Sequence, residues 1–242
     1  MNSVKILFFV ILSFLCLATS AKVIPCTFMT REWPVVGTIH ECFSMQVDFK
    51  EPNEVVDNVT LTLPNGVSID EIKVVCIHET TCHYFPKGIE KIFKNLVALQ
   101  VTYSGLKSIT QENLKPFTRL RGLWLNDNNL ISLEPNLFRF NPMLEIVRFD
   151  SNRLRVISID IFDFTPKLTE THFTDNVCTS KVGKTKAQIN QIVWEIIQNC
   201  QPPRENGIQD ESDEIKSFKA ELKQERLRIA HIKKKIHEID EL

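Results

Sequence analysis

The chain has 242 residues, 30 acidic against 29 basic, a formal net charge of -1 and 43% hydrophobic residues. That near-neutral balance, with Lys and Arg scattered along the chain, argues against the basic surface that nucleic acid requires. With only 7 glycines, no Gly-rich phosphate loop, no nucleophile elbow and no H-E-x-x-H, the sequence points to no enzyme and to no cofactor.

Residues 1–21, MNSVKILFFVILSFLCLATSA, place Lys5 before an apolar run from Ile6 to Ala18 and then small residues. This reads as a secretory signal, too short to span a bilayer, with cleavage near Ala21. No second stretch of spanning length follows and the C-terminus is charged, so a soluble extracellular chain without a membrane anchor is expected.

Of the 7 cysteines, Cys16 leaves with the signal, and an even set remains: Cys26, Cys42, Cys76, Cys82, Cys178 and Cys200. In an oxidising compartment such a set predicts disulfides, with many connectivities open. Residues 22–66 precede any repeat and read as an N-terminal cap. Cys26 and Cys42 suit a staple there, with short strands around Val47–Phe49 and Val59–Leu63 and a turn at Pro64-Asn65-Gly66. Asn58-Val59-Thr60 is a standard N-glycosylation acceptor at Asn58.

From residue 67 to 178 one pattern repeats every 24 residues, starting at Ile72, Leu96, Leu120, Leu144 and Leu168. The third pass reads Leu120, Leu123, Leu125, Asn128, Leu130, Leu133, Leu137, Phe138, and the fourth Leu144, Val147, Phe149, Asn152, Leu154, Ile157, Ile161, Phe162. This is the L-x-x-L-x-L-x-x-N-x-L signature of leucine-rich repeats. The expected fold is an α/β solenoid of about five coils, a parallel concave sheet, disulfide caps and a C-terminal helix. The Asn column, Thr80, Ser104, Asn128, Asn152 and Asn176, should bond backbone groups of the adjoining coil, and its weaker first members should make the first two coils less regular. Phe93, Phe117, Phe138 and Phe162 should fill the outer core.

Cys76 and Cys82 fall inside the first coil and are left to pair with each other by elimination. With His78 and His83 nearby they also resemble a zinc site, but strand alternation puts Cys76 and Cys82 on opposite faces and secretion favours oxidised sulfur, so no metal is expected.

Residues 179–201 form a C-terminal cap, with a helix over Lys186 to Asn199 and a staple from Cys178 to Cys200. Residues 202–213 contain Pro202-Pro203 and Gly207 and read as a linker. In residues 214–242, Ile215, Leu222, Ile229 and Ile236 fall at heptad position a, and Phe218, Glu225, Ile232 and Ile239 at d. Facing charges are mostly opposite in sign, as in Glu214 with Lys219 and Glu221 with Arg226; Arg228 against Lys233 is repulsive. Two readings stay open: a coiled coil with a second copy or another chain, or an amphipathic helix folded back on its own solenoid.

This succession of signal, cysteine cap, 24-residue repeats carrying L-x-x-L-W-L-N-D-N-N-L, cap helix ending in Cys and heptad tail resembles secreted dipteran leucine-rich-repeat proteins. In architecture it is similar to the mosquito leucine-rich-repeat immune proteins with coiled-coil tails. The resemblance spans essentially the whole mature chain, and its motifs specify fold rather than function. It implies a haemolymph protein that assembles through its tail and binds other defence proteins. The tail is much shorter than in that group, and no unpaired cysteine lies in the linker.

Strand alternation sends the residues between the inward Leu columns to the concave face. At the fifth position these are Cys76, Gln100, Trp124, Arg148 and His172; at the seventh, His78, Thr102, Asn126, Asp150 and Thr174, with Tyr103, Asp127 and Asp175 beside them. Trp124 is expected to stand exposed beside Arg148 as an interface hot spot, flanked by Tyr103; the competing reading lays it against its sheet neighbours. The function expected is a secreted, non-enzymatic binding protein that shows this face to a protein or glycan, as a recognition or scaffold component of extracellular innate immunity. The alternative is an adhesion or ligand-binding module outside immunity.

Overall fold

A computed structural model describes residues 21–52 and 54–201, together with Gln224 and Arg228, which are helical. The expected signal segment, linker and heptad seam lie outside the described residues.

Two long strands open the chain, β1 (Ala21–Trp33) and β2 (Gly37–Ser44), followed by β3 (Asp48–Phe49) and β4 (Val55–Leu61). The first coil contributes β5 (Ile72–His78), β6 (Thr81–Cys82) and the short helix α1 (Ile89–Ile92). The second holds β7 (Ala98–Thr102) and α2 (Gln111–Leu114), the third β8 (Gly122–Trp124) and β9 (Ser132–Leu133). Then come β10 (Ile146–Arg148), β11 (Val156–Ile157), β12 (Glu170–His172), β13 (Val182–Gly183) and the helix α3 (Lys186–Asn199).

These segments build the leucine-rich-repeat solenoid that the 24-residue period predicts. Nine strands form one sheet in the order β13-β12-β10-β8-β7-β5-β2-β1-β4. Strands β5, β7, β8, β10 and β12 pair in parallel with no slip, so Val75, Leu99, Leu123, Val147 and Thr171 form one row. That row is buried to 1% exposure or less, as are Ile77, Val101, Leu125, Phe149 and Phe173 two positions on. Register is fixed because a one-residue slip would turn this whole set to the outside. Phe149 stacks on Phe173 at 5.5 Å, and Phe138 and Phe162 pack edgewise or tilted beside them.

The asparagine ladder binds the last coils together. Asn152 Nδ2 donates to Leu125 O at 2.9 Å and Phe149 O at 3.0 Å, while its Oδ1 accepts from Leu130 N at 3.0 Å. Asn128 and Asn176 repeat the arrangement. Leu125 O accepts from both Asn128 and Asn152, and Phe149 O from both Asn152 and Asn176, so successive coils share the buried backbone acceptors of the ladder. Ser104, too short to bridge, turns its Oγ to Thr102 O at 2.7 Å. The residue before each ladder position is left-handed: Glu79, Tyr103, Asp127, Ser151 and Asp175 have φ between 49° and 56°.

Disulfides join Cys26 to Cys42 at the base of the first hairpin and Cys178 to Cys200 at the end of α3. The expected third bridge is absent. Cys76 and Cys82 are unbonded thiols, because Cys76 packs on the concave side with Val74, Ala98 and Trp124, whereas Cys82 packs in the core. No described helix is long and apolar enough to cross a membrane.

The N-terminal region departs most from expectation. Strands over 48–49 and 55–61 match the expected short strands, but the hairpin β1–β2 has no counterpart in the sequence reading. β2 pairs with β5 in parallel, Phe43 opposite Cys76, and so lengthens the repeat sheet. Beyond that pairing the hairpin continues to a turn at residues 34–36, where Val35 takes φ 61°.

Candidate partner-binding surface

On the concave face, positions three and five of each coil form two rows across the sheet. The third-position row is Val74, Ala98, Gly122 and Ile146, with Glu170 at its end. The fifth is Cys76, Gln100, Trp124, Arg148 and His172. The first four residues of the third-position row are apolar, which an open sheet face would leave in water.

The hairpin tip covers them. Trp33 packs edge-to-face on Trp124 with ring centroids 4.9 Å apart and planes at 69°. Val35, Val36, Ile39 and Phe43 join Trp33 in one cluster with Val74, Cys76, Ala98, Trp124 and Ile146. Trp124 is therefore 6% exposed. The expectation of an exposed Trp124 at the centre of the face is corrected: the ring is closed over by the cap hairpin, a segment far earlier in the chain.

A buried carboxylate fastens the tip. Glu41 is fully buried; its Oε2 accepts from Trp33 Nε1 at 2.6 Å and its Oε1 lies 3.0 Å from Arg31 Nε. Burial raises the Glu41 carboxyl above its ordinary value, against the opposing effects of the Trp33 bond and the Arg31 charge. Sequence reasoning passed over Trp33, Glu41 and Ile39. The signal present was the apolar run Trp33-Pro34-Val35-Val36-Gly37, broken by turn residues, between two cap cysteines.

Burial also pushes the Cys76 and Cys82 thiols up to about 12. Both therefore stay protonated at neutral pH and are poor nucleophiles.

The rest of the face is polar and, among the described residues, lies outside the hairpin cluster. Arg148 forms a fork on Asp150, Nε to Oδ1 at 3.0 Å and Nη2 to Oδ2 at 3.1 Å. His172 Nε2 lies 2.5 Å from Glu170 Oε1, and Gln100 Nε2 donates to Thr102 Oγ1 at 2.9 Å. Asn126 Nδ2 donates to Asp127 Oδ2 at 2.6 Å. Tyr103 is 55% exposed and leans edgewise on His78 at 5.3 Å; the Asp127 charge, with a hydrogen bond to the same carboxylate, raises its phenol above the ordinary value. The seven expected contact residues thus divide. Arg148, His172, Asn126, Gln100 and Tyr103 keep exposed or half-buried surface, whereas Asp150 is held beneath Arg148 and Trp124 beneath the hairpin.

Together these features define a leucine-rich-repeat solenoid with disulfide-stapled ends and a half-covered concave face. No family model and no curated protein matches the sequence. Among solved structures the chain is similar to the leucine-rich-repeat domain of the mosquito protein APL1, at 18% identity over 64% of this chain and 36% of that one, TM-score 0.47. It is similar to a chain of the Toll–Spatzle complex of Drosophila, at 17% identity over 50% and 17%, TM-score 0.42. A third likeness, to a chain of the mosquito LRIM1/APL1C complex, has 14% identity over 63% and 35%, TM-score 0.38. This chain spans well under two thirds of each, and the likeness is one of repeat fold.

Proposed function

We propose that this chain is a secreted, non-enzymatic binding module that offers the polar half of its concave face to a protein partner, as a recognition or scaffold component of extracellular defence. One observation carries the binding reading. The hairpin covers Trp124 and the apolar third-position row and, among the described residues, leaves Tyr103 exposed and Gln100, Asn126, Arg148 and His172 half-buried around it. Arg and Tyr are the residues most often found at the energetic centre of protein interfaces. The defence setting follows the resemblance in organisation described above, and the heptads of residues 214–242 supply assembly.

The test is capture from body fluid of the source organism with the mature chain, followed by identification of bound species by mass. Arg148→Glu with Tyr103→Ala should abolish capture while leaving the circular dichroism spectrum unchanged. Capture that survives this change but is lost on ending the chain at Pro203 would assign recognition to the tail and overturn the role of the face.

A further inference from the structure

The acceptor sequence Asn58-Val59-Thr60 lies at a place in the fold that gives it a role. β4 is the last strand of the nine-stranded sheet, bonded on one side to β1, with Val23 opposite Asn58 and Pro25 opposite Thr60. On its other side only the start of β4 is covered: Val55 bridges to Lys87, and Val56 N donates to Lys87 O at 2.7 Å. Past that point, among the described residues, no strand lies against β4. The opposite end of the sheet is different, because β13 there is backed by α3, with Gly183 against Ile189 and Ile192. Among the described residues the sheet thus has one end packed against a helix and one edge unpaired past Val56, and an unpaired edge is a template for strand addition by another chain.

The usual protections of such an edge are confined to the start of β4, where exposed, acidic Asp57 is skipped by the pairing with β1. Residues 58–61, Asn-Val-Thr-Leu, contain no Lys and no Pro. Val59 and Leu61 pack on the core, so alternation leaves Asn58 and Thr60 facing solvent, and both are exposed. Asn58 Oδ1 accepts from Val59 N at 2.8 Å. Its Nδ2, the atom that bears an N-linked glycan, has no hydrogen-bond partner among the described residues.

We propose that Asn58 carries an N-linked glycan that closes the open edge of the sheet against strand addition by another chain. The glycan rests on the secreted reading above, since transfer to this acceptor requires the secretory route. A bulky, hydrated chain at the middle of a short edge excludes an incoming backbone by volume, as an edge Lys does by charge.

The experiment expresses the full chain with its own leader in cells that secrete glycoproteins. Peptide mapping of the medium with and without glycosidase reads occupancy, and light scattering reads the size of the secreted species. Thr60→Ala and Thr60→Lys both destroy the acceptor at an exposed site, but only the second restores a charged edge. The expected result is a glycan on Asn58, larger species for Thr60→Ala at about tenfold lower concentration than wild type requires, and wild-type size for Thr60→Lys. A secreted chain bare at Asn58 overturns the proposal and leaves the secreted reading standing. A glycosylated chain whose Thr60→Ala variant matches wild type in size removes the edge role. A chain retained in the cell overturns the secreted reading and this proposal together.

Discussion

The ring of Trp124 lies over Gly122, two residues back on the same strand: a Cβ built on Gly122 would fall 2.2 Å from both Cη2 and Cζ3 of the indole. Gly122 interrupts the apolar row of Val74, Ala98 and Ile146, and the space it leaves is where Trp124 folds down from the neighbouring row. Trp33 then closes on the ring from above.

Gly122→Ala should therefore lift Trp124 off the sheet. A loss of about 1–3 kcal/mol is expected, typical of forcing a carbon into a packed site. Urea unfolding gives the loss, and a red shift of tryptophan emission in the folded protein reports the displaced ring. An unshifted spectrum with unchanged stability would contradict the placement.

Trp33→Ala should release the hairpin tip and uncover Val74, Ala98, Ile146 and Trp124. The expected cost is about 3–5 kcal/mol, the range for large aromatic truncations, accompanied by binding of a hydrophobic dye that wild type ignores. In a double-mutant cycle with Trp124→Ala the two rings should couple by about 1 kcal/mol. Independent effects would mean that the tip is held by Glu41 and by the packing of Val35, Val36, Ile39 and Phe43 rather than by the ring contact.

Tyr103 combines an exposed aromatic ring with φ 52°, a conformation costing an ordinary L-residue about 1–2 kcal/mol and tolerated better by Asn. Its counterpart in the next coil is Asp127, a short polar residue suited to that geometry. Tyr103→Asn is expected to stabilise the fold by about 1 kcal/mol while weakening partner capture, measured by thermal unfolding and pull-down on one preparation. Reduced stability would show that Tyr103 is held for packing on His78 rather than for a partner.

Glu41 should leave a mark on the pH dependence. Its carboxyl is raised above 4.5 on folding, chiefly by burial, so the folded state holds the proton more tightly than the unfolded one. The stability it contributes rises as pH falls through the raised value and levels off below the ordinary one. Gln at position 41 never titrates. The difference in Tm between Glu41→Gln and wild type should be more favourable to the variant near neutrality than at about pH 4. The opposite trend would mean that Arg31 keeps Glu41 ionised in the fold.

Thr171 sits in the inward row otherwise made of Val75, Leu99, Leu123 and Val147, fully buried, with its hydroxyl oxygen unpaired. Thr171→Val keeps the shape and removes an unsatisfied group, so stabilisation of about 1 kcal/mol is expected from chemical denaturation. A destabilised variant would reveal a partner for that hydroxyl.

The five-coil sheet, its register, the asparagine ladder, the two terminal disulfides and the helix at Lys186–Asn199 were all legible in the sequence. The reason is periodicity: each coil solves the same packing problem with the same residues 24 positions later, so the pattern is written five times. Polar members of the concave face were legible too, because strand alternation alone sends Arg148, Asn126 and His172 outward. The fate of Trp124 and of Cys76 was decided elsewhere. It depends on an unrepeated contact with Trp33, Ile39 and Glu41, residues far away in the chain that belong to no period. Alternation tells which way a side chain leaves its strand, but only the folded chain shows what lies in its path. Here a cap hairpin, carrying Trp33 and Ile39 beside a buried Glu41 bonded to Trp33, covers the apolar half of the sheet and takes it out of water.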